Sequence, residues 1–125
     1  MSCGSKHMKT SEGMITKFEE FKKKEKFLED REFFYPGIKD SSQRKIYAEK
    51  INQGADDFKE VALSADPTDA KYQQKIKIGL ARFMGPIDSE EQERICHYFE
   101  ELMDIVGLES SNGQLNEFRY GFNPK

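Results

Sequence analysis

The chain has 125 residues, 36% of them hydrophobic and 34% charged, with a net charge of −3 and an isoelectric point near 5.5. A chain of this length forms one domain with its own core, and ten Phe and five Tyr argue against disorder. The acidic balance argues against nucleic acid as a partner, because surfaces that bind it rest on clustered Lys and Arg.

The N-terminal segment, residues 1–8, is predicted to lie outside the helical domain, which covers residues 9–125. His7 followed by Met8 is typical of a cloning junction, which would make Met8 the native start. This interpretation predicts a cytoplasmic protein.

The tetrapeptide SCGS at residues 2–5 has a second interpretation, because it resembles the mature start of a bacterial lipoprotein. A native Cys3 would then predict a lipid-anchored or periplasmic protein. Neither interpretation includes a transmembrane segment, since no stretch reaches the roughly 18 apolar residues that a membrane span needs.

The first predicted helix covers residues 12–28, with Ser11 as its cap. Its apolar side chains recur at helical spacing. They are Met14, Phe18, Phe21 and Leu28. The basic cluster at residues 17–26 is interrupted by glutamates, which favours a solvated helix face.

The connection after this helix contains three consecutive aromatic residues, Phe33, Phe34 and Tyr35, ahead of a Pro36-Gly37 turn. Buried aromatic side chains dominate core energetics. We therefore expect all three to plug the core.

The second predicted helix begins at Asp40, which forms a capping box with Gln43, and continues to about Ser64. Gly54 lies inside it, at a cost of about 1 kcal/mol relative to alanine, and indicates close approach of a neighbouring helix. The apolar positions of this helix are Tyr47, Ile51, Phe58 and Ala62.

The third predicted helix begins at Asp66 and Pro67, since proline is tolerated at the first helical position, and ends at the Gly85-Pro86 pair. Its inward positions are Tyr72, Ile76, Leu80 and Phe83.

The fourth predicted helix has the clearest pattern. It begins with a box-like pair, Asp88 and Glu91, and Gly107 followed by Leu108 predicts a Schellman ending. Its apolar stripe consists of Ile95, Phe99, Leu102 and Val106.

The polar face of this helix offers a weak metal candidate. Glu93, His97 and Glu101 are four residues apart, so their side chains could converge on one cation. A single histidine lacks the second imidazole of typical helical zinc motifs. We therefore predict a solvated face, and no cofactor.

Catalysis has no convergent set of residues. Cys96 and His97 are neighbours, which point about 100° apart on a helix, so they cannot form a hydrogen-bonded dyad. Cys96 is interpreted as a small buried hydrophobe.

The closing residues 107–125 combine a turn with aromatic side chains. Leu115, Phe118, Tyr120 and Phe122 recur every two to three residues, which predicts an extended segment laid along the helices. The turn could also contact a partner. The residues proposed for binding are Glu109, Ser110, Ser111, Asn112, Arg119 and Tyr120.

Three stretches resemble an uncharacterised bacterial family classed as a domain of unknown function. They are FYPGI at residues 34–38, the helix start at residues 44–51, and LMDIVGLESSNGQLNEFRYGF at residues 102–122. The resemblance would cover most of the chain from about Ile15. It implies a compact bacterial domain and no catalytic residue.

Together these patterns predict an all-α domain, a four-helix bundle closed by an extended aromatic C-terminal segment. The function that they favour is non-catalytic binding of another protein, as in an immunity or antitoxin-like protein. The alternatives are a small-ligand binder with a cavity around Gly54 and Tyr72, and an enzyme with an unrecognised site.

Overall fold

The computed structural model describes residues 8–83 and 85–120, and this part of the chain is all-α. It contains five α-helices and one 3₁₀ turn at Arg31–Phe33, and no strand within these residues. The helices are α1 (Glu12–Lys23), α2 (Ser41–Leu63), α3 (Asp69–Ala81), α4 (Ser89–Val106) and α5 (Gln114–Tyr120). Helix α2 contacts α1, α3 and α4, while α5 packs against α4 and α3.

The all-α prediction is confirmed, and the prediction of an extended closing segment is wrong over Gln114–Tyr120, which is helical. Its apolar residues Leu115 and Phe118 sit three apart, which places both on one face of a helix but on opposite sides of an extended chain. Phe122 lies outside the described residues. The description of the four longer helices as a bundle stays a prediction.

Helix α1 begins after Ser11 as expected, but it ends at Lys23, five residues earlier than predicted. The chain then turns at Phe27, whose φ of 63° is incompatible with a continuing helix. The backbone N–H of Phe27 donates to the hydroxyl of Tyr98, 2.8 Å away. The Phe27 side chain is fully buried, and Leu28, which we expected inside, is 41% exposed.

Lys26 closes the end of α1. Its ammonium is buried and donates to the carbonyl oxygens of Phe21 and Lys24, so it satisfies groups that a helix end leaves unpaired. Burial lowers the pKa of Lys26 to about 8. This part of the basic cluster is therefore structural and is not a solvated face.

Two of the predicted caps differ in their outcome. The carboxylate of Asp40 accepts hydrogen bonds from the backbone N–H groups of Ser42 and Gln43, at 2.9 and 3.3 Å, so the start of α2 is confirmed. Helix α3 begins two residues later than predicted, with the Thr68 hydroxyl accepting from the N–H of Lys71 at 3.3 Å.

Helices α2, α3 and α4 meet at the ring of Phe99. A Cβ added at Gly54 would lie 3.3 Å from this ring, and one added at Gly79 would lie 2.5 Å from it. The close approach expected at Gly54 is confirmed, and Gly79 makes a tighter one. The ring occupies the space beside Gly54, one of the two residues around which the sequence allows a ligand cavity. The other, Tyr72, is buried and packs against Phe58, with ring centroids 5.2 Å apart.

Helix α4 carries the predicted stripe on its buried side and ends as predicted. Gly107 has a φ of 74°, its N–H donates to Asp104, and the N–H of Leu108 donates to Met103, which is the Schellman pattern. Asp88 holds the N-cap position but makes no capping hydrogen bond with its side chain, so the second box is wrong.

The core gathers side chains from every helix. Met8, at the beginning of the described residues, packs against it, and its N–H donates to the carbonyl of Pro67 at 2.8 Å. No helix in the described part of the chain is long and apolar enough to cross a membrane. Cys3 and His7 lie outside the described residues.

Candidate functional site

Residues 30–35 form a closed loop in front of α4, which we call the aromatic loop. The backbones of Asp30 and Tyr35 exchange two hydrogen bonds, of 2.8 and 2.9 Å, which bring the two ends of the loop together. The Asp30 carboxylate also accepts from the N–H of Glu32, at 3.2 Å, and starts the 3₁₀ turn. Local hydrogen bonds therefore close the loop between its two ends.

Helix α4 holds both ends of the aromatic loop. Asp30 forms an ion pair with Arg94, with Oδ2 and Nη1 3.1 Å apart, and the Tyr35 hydroxyl donates to Glu91 at 3.0 Å. The Arg94 guanidinium also lies over the rings of Tyr35 and Tyr98, 4.9 and 5.3 Å from their centroids. Burial raises the pKa values of Tyr35 and Glu91. These anchors fix the loop against the first turns of the helix.

The tip of the aromatic loop presents two phenylalanines to solvent. Phe33 is 60% exposed and Phe34 is 92% exposed, while Tyr35 is buried. The prediction that all three plug the core is thus wrong for Phe33 and Phe34. The residues of a tight loop point in different directions, so an inward Tyr35 leaves the two preceding side chains outside.

Phe34 also has an uncommon backbone conformation. Its φ of 54° and ψ of 33° place it in the left-handed region, which costs a non-glycine residue about 1–2 kcal/mol. A bulky residue in this region is an outlier, and such outliers cluster at functional sites. The ring of Phe34 adds almost no buried surface to the core, while its backbone N–H donates to the carbonyl of Arg31 at 3.2 Å and closes the 3₁₀ turn.

Two grooves flank Phe34, and both include Tyr35 and Glu90. The first has a volume of about 400 Å³ and runs along α4. Its lining consists of Phe33, Phe34, Tyr35, Ser89, Glu90, Glu93, Arg94 and His97. The second shares Phe34, Tyr35 and Glu90 with the first and is completed by Glu29, Arg31 and Pro36. Phe34 therefore borders two concave surfaces.

The three metal candidates are drawn into other contacts. Glu93 pairs with Arg119 at 3.1 Å, and Glu101 pairs with Lys24. The His97 ring packs on Phe33, with centroids 5.5 Å apart, and its Nε2 is 3.9 Å from the Glu101 carboxylate. Within residues 8–83 and 85–120, no three His, Cys, Asp or Glu side chains are placed to hold a metal ion.

The residues proposed for binding before α5 lie at the surface, and two of them shape the turn. The Ser110 hydroxyl accepts from the N–H of Asn112 at 3.0 Å, and the Ser111 hydroxyl accepts from the N–H of Leu115 at 3.3 Å. Asn112 has a φ of 56°, and Glu109 is exposed. Both serine hydroxyls therefore stabilise the turn that leads into α5.

The other two residues proposed for binding, Arg119 and Tyr120, differ in their exposure to solvent. The Arg119 side chain is 13% exposed and pairs with Glu93 and Glu100 of α4, at 3.1 and 3.2 Å, whereas Tyr120 is 59% exposed. The ion pairs hold α5 on α4. A binding role for these six residues stays a prediction.

Cys96 lies between α4 and α5, fully buried as predicted, and its thiol donates to the carbonyl of Leu115 at 3.5 Å. Burial raises the pKa of this thiol to about 12. The thiolate, which is the nucleophilic form, is therefore scarce near neutral pH.

The fold and sequence have relatives of known classification. A crystal structure of a DUF3571 family protein from Acinetobacter baumannii AYE matches with a TM-score of 0.78 and 32% sequence identity, over 86% of this chain and 89% of that one. A comparison with curated proteins gave no match. The model of the family described as domain of unknown function DUF4844 matches residues 8–123. The chain belongs to this family, the domain of unknown function DUF4844.

Proposed function

We propose that this chain is a non-catalytic protein-binding domain and that the aromatic loop is its contact surface. The observation that carries the proposal is Phe34, a large apolar side chain at 92% exposure in a left-handed backbone conformation. The exposed ring and the left-handed backbone of Phe34 are both unfavourable in the isolated chain. Binding of a partner at this residue would explain why it is there.

The chemistry of the loop suits an interface. Buried aromatic residues act as anchors in protein interfaces, usually at the centre of the contact and next to pockets. Phe33 and Phe34 stand beside a groove of about 400 Å³, so a partner could cover the rings and fill the groove together.

The anchors of the loop support the same function. The Asp30–Arg94 ion pair and the Tyr35–Glu91 hydrogen bond hold the loop in one conformation before a partner arrives. A surface that is ordered in advance loses less conformational entropy on association, which raises affinity.

A finer version of this proposal is an immunity or antitoxin-like protein of bacterial origin that masks a basic partner. The net charge of −3 supports it, since opposite charges raise the association rate. Residues 109–112, together with Arg119 and Tyr120, offer a second surface on which such a partner could bind.

Small-ligand binding is the alternative, and one observation favours it. The groove volume falls within the roughly 300–1,000 Å³ typical of ligand pockets, and the groove combines aromatic rings with polar groups. This ligand would bind on the surface beside the aromatic loop.

An affinity pull-down from the organism that encodes the chain tests the proposal, with each variant immobilised at low and at high salt. We expect a protein partner that is retained by the wild type and lost with Phe34→Gly. Leu63→Ala on α2 is the matched control, because it removes another exposed apolar side chain away from the loop.

Three outcomes would contradict the proposal. The first is a partner that Phe34→Gly retains but an Asn112→Ala and Tyr120→Ala double variant loses, since binding would then use the other surface. The second is loss of the partner with Leu63→Ala. The third is a small molecule that copurifies with the domain while no protein is retained.

A further inference from the structure

We propose that the partner segment bound at the aromatic loop is cationic, an extended peptide whose Arg or Lys side chain lies on the Phe34 ring and pairs with Glu90. This inference rests on the proposed function and specifies the chemistry of its partner. It follows from the charges around the two grooves and from the exposure of the rings.

Carboxylates border the exposed rings. Glu90 is exposed and lines both of the grooves that Phe34 borders, and Glu93 lines the groove along α4 with its side chain 61% exposed. A cation within about 6 Å of an aromatic ring is attracted by the ring face. A carboxylate beside the ring adds an ion pair for the same cation.

The positive groups of the grooves are already opposite carboxylates. Arg94 is largely buried and pairs with Asp30, and the exposed Arg31 lies 3.6 Å from Glu29 in the second groove. Arg119, which pairs with Glu93, is also bonded to Glu100. None of these three arginines pairs with Glu90, so Glu90 contributes negative charge to both grooves beside Phe34.

An anionic partner is the competing possibility, because the first turn of a helix attracts negative charge. Helix α4 has Glu90 and Glu91 in that turn, and Glu93 follows. An anion at this end of α4 would meet these carboxylates before it reached the backbone N–H groups. The charge pattern thus favours a cation.

The test uses a fluorescein-labelled octapeptide of alternating arginine and glycine. Two control peptides replace each arginine by citrulline, its neutral isostere, or by glutamate. Fluorescence anisotropy at low and high salt measures affinity, and amide shifts of the ¹⁵N-labelled full chain locate the contact. We expect only the arginine peptide to bind, with shifts at residues 31–35 and 89–97 and weaker binding at high salt.

Substitutions separate the ring from the charge. Phe34→Leu keeps an apolar side chain but removes the ring face, and should weaken binding about two- to fivefold. Glu90→Gln keeps the shape and removes the charge, with a similar two- to fivefold loss, as expected for an exposed ion pair. Glu49→Gln, at an exposed position of α2, should leave the affinity unchanged.

The inference fails if the citrulline peptide binds as tightly as the arginine peptide, if Glu90→Gln binds normally, or if the shifts lie elsewhere. No binding of any peptide, together with a native partner that is lost on Phe34→Gly, would overturn the cationic partner and leave the proposed function standing. A native partner retained by Phe34→Gly would instead contradict the proposed function. A dimer in sedimentation that Phe34→Gly disrupts would assign the surface to a second copy of the chain, and would also overturn the inference.

Discussion

The aromatic loop, residues 30–35, and the closing segment, residues 107–120, both pack on α4 and both contain aromatic residues and turns. The closing segment buries its main apolar residues, Leu108 and Leu115, whereas the aromatic loop exposes Phe33 and Phe34. Both segments are fixed by ion pairs to α4, through Arg119 in one case and Asp30 in the other. Similar ion pairs to α4 thus hold buried apolar side chains in the closing segment and exposed aromatic side chains in the aromatic loop.

The difference shows how spacing decides which way side chains point. Leu115 and Phe118 are three residues apart in α5, so both turn toward the core. In the aromatic loop, the 3₁₀ turn and the left-handed Phe34 direct successive side chains to different sides. Aromatic content alone therefore does not distinguish a core segment from an interaction surface.

The largest expected effect concerns the closing segment. Leu115→Ala should lower the free energy of unfolding by about 2–5 kcal/mol, because Leu115 is buried between α4 and α5 and its truncation leaves a cavity. Urea denaturation measures the change, with Leu63→Ala on the surface as a control expected to stay within about 0.5 kcal/mol. Equal values for the two variants would show that α5 is not part of the core.

Alkaline pH should destabilise the packing of α5 on α4, where Cys96 is buried. The folded pKa of Cys96 is raised by burial to about 12 from 9.0, so its contribution to stability is complete below pH 9 and is lost as pH rises toward 12. One such group lowers the free energy of unfolding by at most about 1.4 kcal/mol per pH unit. Denaturation at stepped pH should give a smaller decline for Cys96→Ala than for the wild type.

Other groups act over an overlapping pH range, among them Tyr35, whose pKa is also raised by burial. Tyr72, whose pKa is raised to about 12 by burial, adds to the decline in both proteins. Lys26, whose pKa is lowered to about 8 from 10.5, makes stability rise between these pH values. Identical pH profiles for the wild type and Cys96→Ala would show that the thiol does not contribute.

An intermediate effect is expected where the aromatic loop is anchored. Tyr35→Phe removes the hydrogen bond to Glu91 and should lower the free energy of unfolding by about 1.5–3 kcal/mol, the usual value for a bond to a charged group. The shape of the ring is kept, so urea denaturation reports the hydroxyl alone. In a Glu91→Gln background, where the acceptor carries no charge, Tyr35→Phe should lower the free energy of unfolding by less.

The smallest effect on stability, with the opposite sign, is expected at the tip of the loop. Phe34→Gly should raise the free energy of unfolding by up to about 1 kcal/mol, because glycine adopts the left-handed conformation without strain. Thermal melting measures the gain, and Phe34→Ala, which keeps the strain, is the control. A large loss in Phe34→Gly would show that the loop belongs to the core and would remove the contrast with the closing segment.

The sequence by itself determined the features that depend on neighbouring residues. The stripe of α4, its Gly107-Leu108 ending and the Asp40 cap of α2 could be predicted, since helical periodicity and terminal hydrogen bonds involve residues within one or two turns. Gly54 indicated a close helix contact, although not that Phe99 makes it.

Tertiary structure decided the rest, because the deciding contacts join residues far apart in the chain. Helix α1 ends at Lys23, and the N–H of Phe27 in the following turn donates to the hydroxyl of Tyr98, 71 residues away. The tip of the aromatic loop faces outward because Asp30 and Tyr35 are held by Arg94 and Glu91. The sequence does not show which residues far apart in the chain are in contact. The candidate site can therefore be recognised only from the position of α4 beside the loop.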